Sequence, residues 1–150
     1  MTEHNPTFLK FGGPQTQVAT YHHWSVLVRP KQATLGALVL VANGPATRFS
    51  DLTPQAFSEQ ATVIKDIEQV LSTAFNYDKI NYLMLMMVDP NVHYHVLPRY
   101  GQVAQFRQWS LEDAGWPGPP DLSAGSDDQA LVSQLTSDLR AAWPHQEGGV

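Results

Sequence analysis

One long amphipathic stretch in the middle of the chain narrows the fold more than any other feature. Asp51-Leu-Thr53-Pro54 is a helix start: Asp51 or Thr53 can accept the free N–H groups, and Pro54 suits the first helical position. Behind it Phe57, Ala61, Ile64, Ile67, Leu71, Ala74 and Phe75 recur at three- and four-residue steps, which predicts a helix of roughly six turns. Glu59, Lys65, Asp66 and Gln69 fall mostly on its other side. Such a helix must lay its apolar face on something, and short apolar segments flank it. VATYHHWSVLV, residues 18 to 28, is rich in β-branched and aromatic residues and reads as one strand stopped by Arg29-Pro30. Residues 35 to 42 read as a buried strand ended by Asn43-Gly44-Pro45. After the helix, residues 80 to 88 and 91 to 97 read as two more strands, separated by Asp89-Pro90. The first 17 residues read as an irregular lead-in whose Phe8, Leu9 and Phe11 can dock on the body. Residues 113 to 125 are too rich in proline and glycine to be regular. Ser126-Asp127-Asp128 then caps a last helix to about Trp143, with Leu131, Leu135 and Leu139 as its apolar stripe. The links are short and strands do not alternate with helices. That order predicts an α+β fold, an antiparallel sheet with one long helix and a C-terminal helix packed on it.

Composition bounds the function. A chain of 150 residues, 43% apolar, supplies one core and not two, so residues 1 to 150 are expected to form a single domain. No apolar run approaches the roughly 18 residues of a membrane span, and MTEHNPTFLKFGG lacks a signal-peptide layout, so a cytoplasmic location is expected. With no cysteine, any zinc site would need His and carboxylate ligands. The net charge of −5 argues against a partner such as a long nucleic acid. That charge is unevenly placed. Residues 111 to 150 carry seven acids and one base, Arg140, whereas residues 1 to 110 have a net charge of +1 and five of the six histidines. A small phosphate ligand on this near-neutral body is compatible with the total.

The chemistry concentrates in Asp89-Pro-Asn91-Val-His93-Tyr-His95-Val-Leu-Pro-Arg99-Tyr100. In a strand, alternate side chains share a face, so Val92, Tyr94 and Val96 point one way and Asn91, His93 and His95 the other. The two imidazoles are then about 7 Å apart along the strand, close enough to act on one small group. Three readings are open on the residues alone. The pair can be an exposed polar face without a role. It can be half of a metal site, with His22, His23 or Asp89 as further ligands. Or a neutral imidazole can attack phosphorus while its neighbour binds the phosphate oxygens.

Asn91-Val-His-Tyr-His-Val-Leu-Pro-Arg-Tyr100 resembles the signature of the histidine-triad (HIT) family. The likeness extends back to Pro30-Lys-Gln-Ala-Thr-Leu-Gly36 with the strand after it, and to the helix start Ser50-Asp-Leu-Thr-Pro-Gln55, covering residues 18 to 101. Residues 102 to 150 then form an acidic, Pro/Gly-rich extension with a terminal helix. The resemblance implies a five-stranded sheet, commonly a homodimer that joins two such sheets. It also implies hydrolysis or transfer at the α-phosphorus of nucleotides, with no obligatory metal and no cofactor. It places the nucleophile on His93, its phosphate-binding partner on His95, and substrate contacts on Asn91 and Arg99. The chain departs from the family pattern at the first triad position, which is Asn91, and at Ala37, often a histidine. The usual Gly-Gln-Ser/Thr-Val loop is reduced to Val88-Asp89-Pro90, and Leu27-Val28-Arg29 stands roughly where a polar or acidic residue commonly holds ribose hydroxyls. A non-catalytic nucleotide-binding module that keeps the fold is the alternative.

Overall fold

The computed structural model describes residues 4–144. Its centre is an antiparallel sheet of five strands in the order β1-β2-β3-β5-β4. The strands are β1 (Gln17–Thr20), β2 (Trp24–Val28), β3 (Leu38–Ala42), β4 (Lys79–Leu83) and β5 (His93–Arg99). The expected α+β architecture is thus observed, with several boundaries moved. Residues 18 to 28 are not one strand but a hairpin: Ala19 pairs with Val26 and Thr20 with Ser25, and Tyr21-His22-His23 make the turn. The turn is held by the Glu59 carboxylate, which accepts from the His22 and His23 amides at 3.0 and 2.6 Å. The strand expected over 80 to 88 ends at Leu83, because Met86 takes a positive φ of 54° and Leu85, Met87 and Val88 are exposed. β5 runs on through Pro98, which faces Ile80 of β4 after β3 pairing has ended at Val96.

Helix α2 (Pro54–Ala74) starts as its sequence dictates: Thr53 Oγ1 accepts the Ala56 amide at 3.1 Å, and Pro54 occupies the first turn. Its buried stripe is Ala56, Val63, Ile67, Val70 and Leu71, a face rotated from the one the spacing predicts. Phe57 is left outside that stripe and meets Phe49 edge-on instead, with ring centroids 5.6 Å apart. Helix α3 (Gln129–Ala142), capped by Asp128, buries Leu131, Leu135 and Leu139 as expected. It is tied to the first hairpin by Arg140, whose Nε donates to the Gln17 carbonyl, and by the Trp143 indole N–H, which donates to the Tyr21 hydroxyl. Between β5 and α3 the chain forms a short hairpin, β6 (Ala104–Phe106) and β7 (Trp109–Leu111), inside the extension for which only a terminal helix is expected.

The sheet is covered on both sides. Trp24, Val26, Val28, Leu38, Leu40 and Val96 face α2 and α3 in the main core. Leu27, Val39 and Val41 face the other way, onto Phe8 and Phe11. Those two phenylalanines belong to helix α1 (Pro6–Lys10) and its C-terminal flank, so the lead-in is a structured cover and not an irregular segment. Asn5 caps α1 by accepting the Phe8 amide at 2.9 Å, and its Nδ2 donates to the Ala42 and Gly44 carbonyls. β2 and β3 are therefore buried at every residue. The rotated face of α2 sets a direct comparison. Ile67→Ala, at a fully buried position, is expected to cost about 2–5 kcal/mol, whereas Phe57→Ala should cost less than about 1 kcal/mol. Urea unfolding of the two variants measures this, and equal losses would contradict the observed packing.

Candidate active site

His93 and His95 point to the same face of β5 as the alternation predicts, with ring centroids 5.1 Å apart. That face is the one under α1. The Phe11 ring lies 5.7 Å from each imidazole, and the histidines are only 2% and 7% exposed. They line a cavity of about 340 Å³ together with Lys10, Phe11, Arg29, Asp89 and the segment 85–88. This size is at the low end for small-molecule sites, which span about 300–1,000 Å³. Lys10 Nζ and Asp89 Oδ1 form an ion pair at 2.7 Å that joins the end of α1 to the loop before β5.

Two hydrogen bonds fix the ring tautomers. His93 Nδ1 is 2.7 Å from the Asn91 carbonyl. A carbonyl can only accept, so the proton is on Nδ1 and a neutral His93 has a bare Nε2. The opposite holds for His95, whose Nδ1 accepts from Arg29 Nε at 3.2 Å. Its proton must then be on Nε2, which makes that nitrogen a donor. Burial, reinforced by the nearby Arg29 and His93 charges, pushes the His95 pKa down from 6.5 to about 4. His95 is thus a neutral donor at neutral pH. The pair consists of one nitrogen with a free lone pair and one N–H.

The other predicted site residues lie differently. The Asn91 side chain is committed to α1: its Oδ1 accepts the Thr7 amide at 3.2 Å, and the Asn91 amide donates to Thr7 Oγ1 at 2.9 Å. Its Nδ2 reaches the Ala46 carbonyl at 3.4 Å. Asn91 acts on the site through its backbone carbonyl and does not line the cavity. Arg99, expected as a phosphate contact, is buried away from the histidines. Its Nε and Nη2 grip Asp113 at 2.6 and 3.1 Å, and it also donates to Asn81 Oδ1 and the Gly118 carbonyl. It anchors the C-terminal extension. His22 and His23 stand at the hairpin turn, and among the described residues no three His, Asp or Glu side chains converge as a metal site. Trp109 stacks on Phe106 and donates to Asp128, while Trp116 packs against Gly101, so neither reaches the cavity. Met84 and Met86 pack against the core, whereas Met87 is 83% exposed.

Sequence reasoning missed Lys10 and Phe11 as cavity residues and did not single out Arg29. For Arg29 the signal was present: Arg29 continues the register of β2 opposite Ala37, its amide donating to the Ala37 carbonyl at 3.0 Å, so its side chain shares the face of Leu27 and Val39.

Comparison with known proteins settles what this arrangement belongs to. A family model described as HIT domain matches residues 14–102, more than half of the chain. The chain belongs to the HIT-domain family. No match was found among curated proteins. Among solved structures, a histidine triad protein from Bradyrhizobium japonicum is similar over 95% of this HIT protein and 98% of its own length, with a TM-score of 0.67 at 20% identity. One from Marinobacter aquaeolei gives a TM-score of 0.67 at 15% identity, covering 95% and 96% of the two chains. A hypothetical histidine triad nucleotide-binding protein from Sulfolobus tokodaii gives 0.67 at 13% identity, covering 85% and 82%. At these identities the likeness establishes the fold.

The buried neutral His95 has a pH consequence. An unfolded chain protonates this ring near pH 6.5, but the folded protein holds the proton off until about pH 4. The unfolded state therefore binds more protons in that interval, and stability falls as pH is lowered through it. Wild type is expected to lose stability relative to His95→Gln between about pH 6.5 and about pH 4.5, measured by urea midpoints. A constant difference across that range would contradict the assignment.

Proposed function

We propose that this HIT protein is a cytoplasmic, single-domain nucleotide-phosphate hydrolase or transferase that acts at the α-phosphorus through a covalent His93 intermediate. The single observation that carries this reading is the Asn91 carbonyl on His93 Nδ1, because it leaves Nε2 as the nucleophile. Nε2 attacks phosphorus, and the bond to the leaving oxygen or nitrogen breaks as that atom takes the bonding pair and then a proton. Water next attacks the phosphorus and releases a proton to solvent, which balances the one the leaving atom took up from solvent, the P–N bond to His93 breaks, and the lone pair returns to Nε2. His95 Nε2–H donates to a phosphate oxygen as charge builds up there. Dinucleoside polyphosphates and nucleoside phosphoramidates fit this chemistry. The description of the Sulfolobus tokodaii neighbour as nucleotide-binding supports the ligand class.

The second reading is a nucleotide-binding module without turnover. What favours it is the 2% exposure of His93 beneath Phe11 and the Lys10–Asp89 pair, together with the absence of the usual phosphate loop before β5. His93→Ala separates the two. For an enzyme, the variant folds but loses turnover of adenosine 5′-phosphoramidate or a diadenosine polyphosphate by about a thousandfold or more. Equal turnover in variant and wild type sinks the covalent mechanism. A wild type that binds nucleotide but turns over none of these compounds supports the module.

A homodimer is part of the proposal. The β4 edge of the sheet carries half-buried Ile80, Tyr82 and Leu83, followed by exposed Leu85, Met87 and Val88, whereas the β1 edge is tied to α3. Pairing of two β4 edges would cover this apolar run. Light scattering should give about twice the chain mass, and a strict monomer rejects the shared sheet.

A further inference from the structure

Arg29 is buried and meets no counter-ion among the described residues. Arg48, Arg99 and Arg107 each meet a carboxylate, those of Asp51, Asp113 and Asp138, and Arg140 lies exposed. Arg29 is 8% exposed, and its two protein acceptors are neutral: the His95 ring and the Lys31 carbonyl, 2.7 Å from Nη1. Its Nη2 donates to no atom among the described residues, although it is not sealed from the surface. A guanidinium taken out of water without an anion is strongly disfavoured, and here it lines the histidine cavity. Asp89, the acid in that cavity, is engaged by Lys10, so the lining carries two cations against one carboxylate.

The fold holds the arginine in this place deliberately. Opposite it, just before β3, stands Ala37, whose methyl group leaves the arginine stem room to cross the sheet toward His95 of β5. Gln32, fully buried, donates to both the Arg29 and Ala37 carbonyls at 2.8 and 2.9 Å and accepts the Gly36 amide, locking the loop between them. Gly36 sits at a φ of 87°, and a Cβ there would come within 2.9 Å of the Phe75 ring. This loop cannot easily let Arg29 swing out to solvent.

We propose that Arg29 is the binding group for a second phosphate of the ligand, beside the one addressed by His93 and His95. The HIT protein is then selective for compounds with two phosphate groups over nucleoside monophosphates. The planar fork of a guanidinium suits paired phosphate oxygens, and Nη2, without an acceptor among the described residues, is a spare donor on a residue that lines the cavity. The second phosphate can come from two sources: the next group of a phosphoanhydride chain, or a phosphate on the ribose. This inference takes from the proposed function only that a phosphate sits at the two histidines.

Calorimetric titration of AMP, ADP and adenosine 3′,5′-bisphosphate into wild type, Arg29→Gln and Arg29→Lys tests it, with turnover of adenosine 5′-phosphoramidate followed in parallel. ADP or the bisphosphate is expected to bind wild type about tenfold or more tightly than AMP, and whichever does so locates the second phosphate. Arg29→Gln should bring that ligand to the level of AMP while AMP itself changes much less, and Arg29→Lys should retain part of the preference. A loss confined to the ratio is not what a merely structural role would produce. Equal binding of all three ligands, an unchanged ratio in Arg29→Gln, or no binding of any of them overturns the proposal. If Arg29→Gln fails to fold, the wild-type ratio and Arg29→Lys decide it. Arg29-dependent selectivity without phosphoramidate turnover leaves this inference standing and removes the catalytic reading. Turnover without that selectivity does the reverse.

Discussion

The central strands β2, β3 and β5 have no face left for water, and the rest of the structure follows from that constraint. One side meets α2 and α3, and the other meets Phe8 and Phe11. On such a sheet an apolar side chain needs no partner, but every polar atom does. Polar side chains, among them those of Arg29, His93 and His95, nevertheless project from the α1 side. Their ring protons are settled by the acceptors and donors that burial makes compulsory: a carbonyl for His93 and a guanidinium for His95. Chemical asymmetry between two identical side chains thus arises from the requirement to satisfy each buried atom.

The departures from the family pattern read coherently in this light. With only Val88-Asp89-Pro90 before β5, the chain brings little loop to the histidines. Residues from the other end of the sequence do part of that work, since Lys10 and Phe11 stand over the cavity. Ala37, just before β3, leaves Arg29 a path across the sheet to His95.

How much of this was legible depended on how local the signal was. The start of α2 needed only Thr53-Pro54, and the pairing of His93 with His95 needed only the two-residue period of a strand. Both could be read directly. The hairpin at Tyr21-His22-His23 could not, because the turn lacks glycine and proline and is held by Glu59, 36 residues away from His23. The face of α2 was misjudged because Phe57 weighs heavily in any apolar count, yet it is satisfied by Phe49 beside the helix start. Helix α1 has a single turn of sequence, too short for any period to show. Arg99 is the clearest case of a non-local answer: Pro98-Arg99 fits the family motif, but the partner that fixes its role is Asp113, carried by the extension.

Asn91 and Thr7 exchange two hydrogen bonds across 84 positions of the chain. At the place where the family carries its first histidine, this protein has instead a clasp that keeps α1 on the sheet. An imidazole at 91 would take away the side-chain acceptor of the Thr7 amide, while the bond from the residue-91 amide to Thr7 Oγ1 would remain. Residue 7 thus bears, with Asn5, on how firmly Phe11 is held over the two histidines, although it touches neither ring.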